Sequence, residues 1–217
     1  MPTLAHHFLL LDLVDNQGTP RTDMARRWWG LTGALWGEMQ LRERVMPVRA
    51  DRFALVPGPL SEGVLGYAES CIQGRYAHSQ AWRMQQIYPY APRMRGMALE
   101  ELAQLGAIRK ERDTVLLVPW RTRWPTADGT LEVELVAHLR HWLETVSPDE
   151  PPGREDLLLG LLRGTRILES VWAPDEIEQW KDKIHLRTQR APLGRLVQDL
   201  ATQGMDMAPY RKRKDTE

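Results

Sequence analysis

The segment from Met24 to Arg44 constrains the fold of this chain more than any other. Met24, Trp28, Leu31, Leu35 and Met39 recur at steps of three and four, with Trp29 and Trp36 widening the stripe, which predicts a central helix. Gly30, Gly33 and Gly37 lie inside it. Each lowers helix stability by ~1 kcal/mol relative to alanine, so their presence implies close packing against a neighbour. Thr22 or Asp23 is placed to cap the helix, after a turn-forming loop from Asp15 to Pro20 and a short leucine-rich helix from Leu4 to Leu13.

Beyond this helix, Val45–Val48 and Phe53–Val56 flank the polar residues Arg49 to Arg52 and predict a hairpin closed by Pro57-Gly58-Pro59. The arrangement recurs downstream. A helix from Met97 to Leu105 leads to Ala107–Lys110, then a polar tip of Arg112-Asp113-Thr114, then Val115–Val118, closed by Pro119. Glu38 precedes Val45 by the same interval that separates Glu101 from Ile108. Further helices are predicted over 62–72, 79–87, 131–145, 155–171, 174–189 and 193–203. Tyr88–Pro92 breaks the chain and Trp120–Gly129 forms a polar connection. The fold class is mainly α with short β-hairpins.

A chain of 217 residues, 42% hydrophobic, is long enough for a substantial core. Its 29 basic and 29 acidic residues cancel, so electrostatic binding must come from local patches. The lone Cys71 excludes an intramolecular disulfide framework and fits a reducing compartment. Asp12 interrupts the apolar run Phe8–Leu11, which argues against a signal peptide. The run from Trp28 to Gly37 falls short of the ~20 residues that span a bilayer. A cytoplasmic location is expected, with peripheral contact at the inner face of a membrane as an option. Lysine is confined to Lys110, Lys181, Lys183, Lys212 and Lys214, a usage that fits a GC-rich bacterial genome.

No arrangement of residues signals catalysis. GxSxG, HExxH, CxxC and the phosphate-loop patterns are absent, so neither an enzyme nor a cofactor is expected. His138 and His141 share a helix face with Glu134 but have no second ligand pair, and His6-His7 has none either, so no metal site is expected. Arg93 and Arg95 precede the Met97 helix, where guanidinium groups and free amides together suit an anion. Val115, Leu116, Leu117 and Val118, with Trp120 beside them, suit a membrane or oligomer interface.

The order of several blocks resembles the Golgi phosphoprotein 3 family: Phe8-Leu-Leu-Leu-Asp-Leu13, Gly30-Leu-Thr-Gly-Ala-Leu-Trp-Gly-Glu38, Leu41-Arg-Glu-Arg44, Leu102-Ala-Gln-Leu-Gly-Ala-Ile108, Arg123-Trp-Pro125, Asp156-Leu-Leu-Leu-Gly-Leu-Leu162 and Ile167-Leu-Glu-Ser-Val171. The resemblance implies one domain over 1–207, a helical bundle surrounded by amphipathic helices, followed by a basic tail over 208–217. It also implies a non-catalytic peripheral-membrane adaptor that holds an anionic phospholipid and the tails of membrane proteins.

Of the family's headgroup positions, the tryptophan falls at Asp23 and one arginine at Thr32. The paired arginines fall at Pro92 and Arg95, with Arg93 beside the former. The expected headgroup residues are therefore Arg93, Arg95 and Thr32. The single direct match counts against phosphatidylinositol 4-phosphate as the ligand. Two further readings stand beside this one: a winged-helix-like nucleic-acid regulator, disfavoured by the charge balance, and a structural, homo-oligomerising interaction domain.

Overall fold

Asp23 starts the central helix, its carboxylate accepting the Arg26 N–H at 2.9 Å. The computed structural model describes residues 2–14, 17–49, 52–73, 78–115, 118–127 and 129–202, with backbone alone for residues 49, 112–115 and 118–121. The first part runs α1 (Leu4–Asp12), β1 (Leu13–Val14), β2 (Thr19–Pro20), α2 (Met24–Leu41), β3 (Val45–Arg49), β4 (Arg52–Leu55), α3 (Gly63–Cys71), β5 (His78–Ser79) and α4 (Gln80–Ile87). A 3-10 turn over Tyr88–Tyr90 then leads to α5 (Ala91–Gln104), β6 (Glu111–Val115) and β7 (Val118–Arg123). The chain closes with α6 (Thr130–Thr145), α7 (Arg154–Thr165), α8 (Leu168–Val171), α9 (Pro174–Arg190) and α10 (Leu193–Thr202). The described chain is mainly α with short antiparallel strand pairs, as the sequence predicts.

Helix α2 packs against α1, α5, α7 and α10, and one hydrophobic cluster extends from Leu4 to Leu200. Trp29 stacks on Tyr88 with ring centroids 4.0 Å apart, and Trp36 meets Phe53 edge-on at 5.6 Å. The glycines of α2 serve close packing: a Cβ at Gly30 would lie 2.2 Å from the Phe8 ring. Helices α7 and α10 also cross closely, and a Cβ at Gly194 would fall 1.9 Å from the Gly160 carbonyl oxygen. The two backbones touch there, and no side chain fits between them.

The echo between the two helix–hairpin units is structural. At the end of α2, Arg44 N–H donates to Met39 O and Glu43 N–H to Gln40 O. At the end of α5, Ala107 donates to Leu102 and Gly106 to Ala103 in the same pattern. Both are Schellman ends with a left-handed residue, Glu43 (φ 55°) in one and Gly106 (φ 76°) in the other. Even the closing bonds correspond, Val56 N–H to Arg44 O and Ala127 N–H to Ala107 O. Glu101 and Glu38 also act alike, each accepting a first-turn amide of another helix, Val64 in α3 and Leu4 in α1.

Three expectations need correction. The second hairpin has its strands at Glu111–Val115 and Val118–Arg123, with Ile108 joining through an isolated bridge to Thr126. Arg112-Asp113-Thr114 therefore belongs to a strand and not to the tip. The register sets Glu111 opposite Arg123, a charge pair that favours this alignment. Of the predicted polar connection Trp120–Gly129, Trp120–Arg123 continue the second strand, while Trp124–Ala127 lie outside it. Helix α5 begins at Ala91 instead of Met97, because Pro92 fits a first helical turn, where its missing N–H costs nothing. The helix predicted over 155–171 stops at Thr165, where Arg166 takes a left-handed conformation (φ 63°) and makes a third Schellman end. Residues 203–217, including the predicted basic tail 208–217, lie outside the described residues.

Two substitutions test this packing. Gly194→Ala is expected to destabilise the fold by about 3 kcal/mol, because backbone must move to admit the methyl. Glu43→Gly should stabilise it by up to about 1 kcal/mol by relieving a left-handed residue with a Cβ. Urea unfolding followed by circular dichroism measures both.

A pH dependence also follows. Burial, helped by the charge of Arg154, pushes the His7 imidazole down to about 4, against an ordinary value of 6.5. His6 is lowered too, by burial opposed by Glu101. Below the ordinary value the unfolded chain takes up protons that the folded chain refuses. Stability should hold above pH 6.5 and fall as pH approaches 4. The loss from His7, discounted for its partial exposure, is on the order of 2 kcal/mol. Unfolding midpoints measured between these limits check it.

Candidate headgroup site and hairpin

Many of the described arginines are committed to carboxylates. Arg21 pairs with Glu132, Arg27 with Asp12, Arg44 with Glu69, Arg140 with Glu176 and Arg187 with Asp156, while Arg42 and Arg154 share Glu38. The candidate binding arginines are those left over.

Arg95 is one of them. It is half-buried on α5, and its Nε has no acceptor among the described residues. Burial lowers its pKa from the ordinary arginine range, Arg27 lowers it further, and Asp12 partly offsets both. Asp12 is itself buried and held by Thr22, whose N–H and hydroxyl donate at 3.0 and 2.6 Å, and by Arg27 Nε at 3.1 Å. Burial nonetheless raises its pKa, against the pull of Thr22 and Arg27. Two guanidiniums, Arg27 and Arg95, face the single carboxylate of Asp12, so the group carries a net positive charge. A desolvated guanidinium with an open donor is chemically suited to accept an oxyanion.

The structure does not bring Arg93 and Arg95 together. Two residues apart on a helix, they project from different faces. Arg93 is exposed and lies over the Tyr67 ring, 4.6 Å from its centroid, with Tyr90 edge-on to Tyr67. Because α5 starts at Ala91, both arginines lie within the helix and not ahead of its amides.

Thr32 is fully buried in α2, and its hydroxyl has no partner among the described residues. It cannot touch a ligand at the surface without rearrangement. Asp23, at the other departure from the family pattern, is engaged as the α2 cap and as the partner of Arg26 at 2.5 Å. The carboxylate at this position has a structural cause, because a cap residue must accept amides that the first turn leaves free.

In the second hairpin, Val115 pairs with Val118, so residues 116 and 117 are the two between the strands. Both are leucines, and they lie outside the described residues. The register skips Trp120 between Pro119 and Arg121, a bulge in β7. Among the described residues this hairpin forms a two-stranded sheet by itself, whereas the first hairpin gains β5 as a third strand.

Other candidates are accounted for by local contacts. His138 Nε2 lies 3.1 Å from Glu155, and His141 is exposed beside Glu144 at 3.9 Å. No group of three or more potential metal ligands converges among the described residues. Burial raises the Cys71 pKa, so it is a poor nucleophile. No described helix is long and apolar enough to cross a membrane. Missed by sequence reasoning was the Arg27–Asp12–Thr22 cluster that frames Arg95; the only hint was Asp12 closing a leucine run on a buried helix face.

A family model described as Golgi phosphoprotein 3 (GPP34) matches residues 4–203. No curated protein matches the chain.

The geometry makes Thr32 a core residue. Thr32→Val, which removes an unpartnered buried hydroxyl, should leave stability unchanged or raise it by about 1 kcal/mol. A drop of similar size in thermal or urea unfolding would place a bonded partner on that hydroxyl.

Proposed function

The chain belongs to the Golgi phosphoprotein 3 (GPP34) family, and from that premise we propose that it works without catalysis, as a peripheral-membrane adaptor. In this reading Arg95 receives an anionic lipid headgroup, while the Val115–Val118 end of the second hairpin meets the membrane interface or a second copy of the chain. The observation that carries it is the electrostatic state of Arg95: burial and Arg27 disfavour its charge, and its Nε donor is open. An arriving phosphate or carboxylate relieves both conditions at once.

Several features support the rest of the reading. Asp23 is engaged as a helix cap, and Thr32 is buried in the core. Neither supplies the aromatic or cationic contact that the family pattern places there, which favours recognition of anionic charge over a particular phosphoinositide. The hairpin contributes four apolar residues in succession where its strands meet. One guanidinium and a short apolar tip give weak, reversible attachment. Weak attachment suits an adaptor that holds the tails of membrane proteins only while both are at the surface.

Flotation with vesicles tests the proposal. Binding is expected on phosphatidylcholine vesicles containing phosphatidylserine, with comparable binding when phosphatidylinositol 4-phosphate supplies the same charge, and little on phosphatidylcholine alone. Arg95→Glu should reduce it about ten-fold, and added salt should weaken it. Leu116→Asp combined with Leu117→Asp should reduce it independently. Equal binding to neutral vesicles, or no loss with Arg95→Glu in a folded variant, overturns the headgroup assignment.

A further inference from the structure

A second collection of uncommitted arginine lies elsewhere in the fold. Helices α7, α9 and α10 enclose an open cleft of about 370 Å³ whose walls include Arg163, His185, Gln189, Arg195, Gln198 and Asp199. Its floor exists because Gly160, Gly164 and Gly194 let the α7 and α10 backbones touch, leaving no side chain to fill the space above the crossing.

Arg163 is exposed and donates through one guanidinium nitrogen to the Thr188 hydroxyl at 2.9 Å, a bond that orients it without neutralising it. Arg195 is exposed and has no carboxylate within ion-pairing distance among the described residues, Asp199 included. The cleft thus presents two unneutralised guanidinium groups and one carboxylate. Gly194 and Arg195 also belong to the first turn of α10, whose amides have no acceptor in a preceding turn.

We propose that this cleft binds a phosphate monoester attached to a hydroxylated organic group, with Arg163 and Arg195 holding the phosphate oxygens. Two guanidiniums match a dianion, and the helix N-terminus adds to the same field. The cleft is several times larger than a phosphate ion, so there is room for the group that carries it. The remaining lining fits hydroxyls: Asp199 accepts, and Gln189 and Gln198 both donate and accept. Asp199 also sets a limit, since its charge opposes the phosphate and keeps binding weak. The site shares no residue with the Arg95 group and does not depend on it.

This chemistry has two sources, a soluble phosphate ester and a lipid headgroup. Isothermal titration of the full chain with glycerol 3-phosphate, and flotation on phosphatidylcholine vesicles containing phosphatidic acid, separate them. Saturable binding in either arm is expected, weakened about ten-fold by Arg163→Gln or Arg195→Gln, the loss of one charge-assisted contact. Asp199→Asn should tighten it several-fold, an effect that general loosening of the fold would not produce. Arg109→Gln, at an exposed arginine outside the cleft, should leave glycerol 3-phosphate binding unchanged, and the titration uses no membrane, so failure of the membrane reading does not carry this site down with it. Arg163, Arg195 and Asp199 are exposed, and circular dichroism verifies that the variants fold. No saturable binding of either probe, or binding indifferent to both arginine substitutions, overturns the proposal.

Discussion

Glu38 is the residue on which the arrangement of the bundle depends. Its side chain is wholly buried near the end of the central helix, and both carboxylate oxygens are occupied. It accepts the Leu4 N–H at 2.8 Å, Arg42 Nε at 2.7 Å, and the two terminal nitrogens of Arg154 at 2.9 and 3.0 Å. Burial alone would raise its pKa, but the bonds from Arg154, Leu4 and Arg42 outweigh that and hold it below the usual carboxylate range. Leu4 and Arg154 are the first residues of α1 and α7, so one anion fixes where two helices begin against a third. The free amides and dipoles of both helix ends favour a negative charge at that point. Replacing such a group leaves buried donors without acceptors, so the cost of disturbing it exceeds the net worth of the bonds.

The same pairing recurs at the edges of the bundle. Asp156 binds Arg187 through two bonds of 2.6 and 2.7 Å, and Arg187 also reaches the carbonyls of Ser147 and Glu150, tying α9 to the loop before α7. Glu69 receives Arg44 and Ser61, fastening α3 to the end of α2. Composition shows equal numbers of acidic and basic residues, and placement shows one use of that balance: several arginines tie one element of the bundle to another. The planar fork suits this use, because it satisfies a carboxylate and nearby carbonyls together. Arg95, Arg163 and Arg195 are among the arginines that no described carboxylate holds, and the two proposals above rest on them.

The elements that the sequence made legible were those governed by periodicity. The α2 stripe, the helices after residue 130 and the repeated helix–hairpin unit follow from apolar spacing, and the glycines of α2 announce the close contacts they make. The helix ends were harder, for a definite reason. Three of them share one left-handed geometry, yet glycine marks only Gly106, while Glu43 and Arg166 occupy the other two. A terminus held by buried Ile167 or by the strand that follows gives no local sign of itself. The second hairpin was misregistered because polarity was taken to mean a turn, whereas the polar run from Glu111 to Thr114 lies in a strand. At the candidate site, Arg95 was legible as a cation, but its isolation from Arg93 and the burial of Thr32 depend on helix phase and on which face meets the core.

The two hairpins of the repeated unit differ in how the rest of the molecule holds them. Both begin from the same Schellman end and close with equivalent backbone bonds, so their bases are held alike. They diverge above the base. The first is short, gains β5 along Arg52 and Phe53, and is fastened to the core where Phe53 meets Trp36. The second is longer, and among the described residues it has no third strand. The strands of the second set Glu111 opposite Arg123 at one end and Val115 opposite Val118 at the other, with leucine at both intervening positions of the sequence. A polar base and an apolar turn are the order that the proposed interfacial role requires. Arg95 and this hairpin both follow from the second copy of the unit, α5 and the strands after it, while the first copy, with Glu38, Trp36 and Phe53, builds the core. Divergence between two copies of one motif thus separates the part that holds the fold from the part proposed to bind.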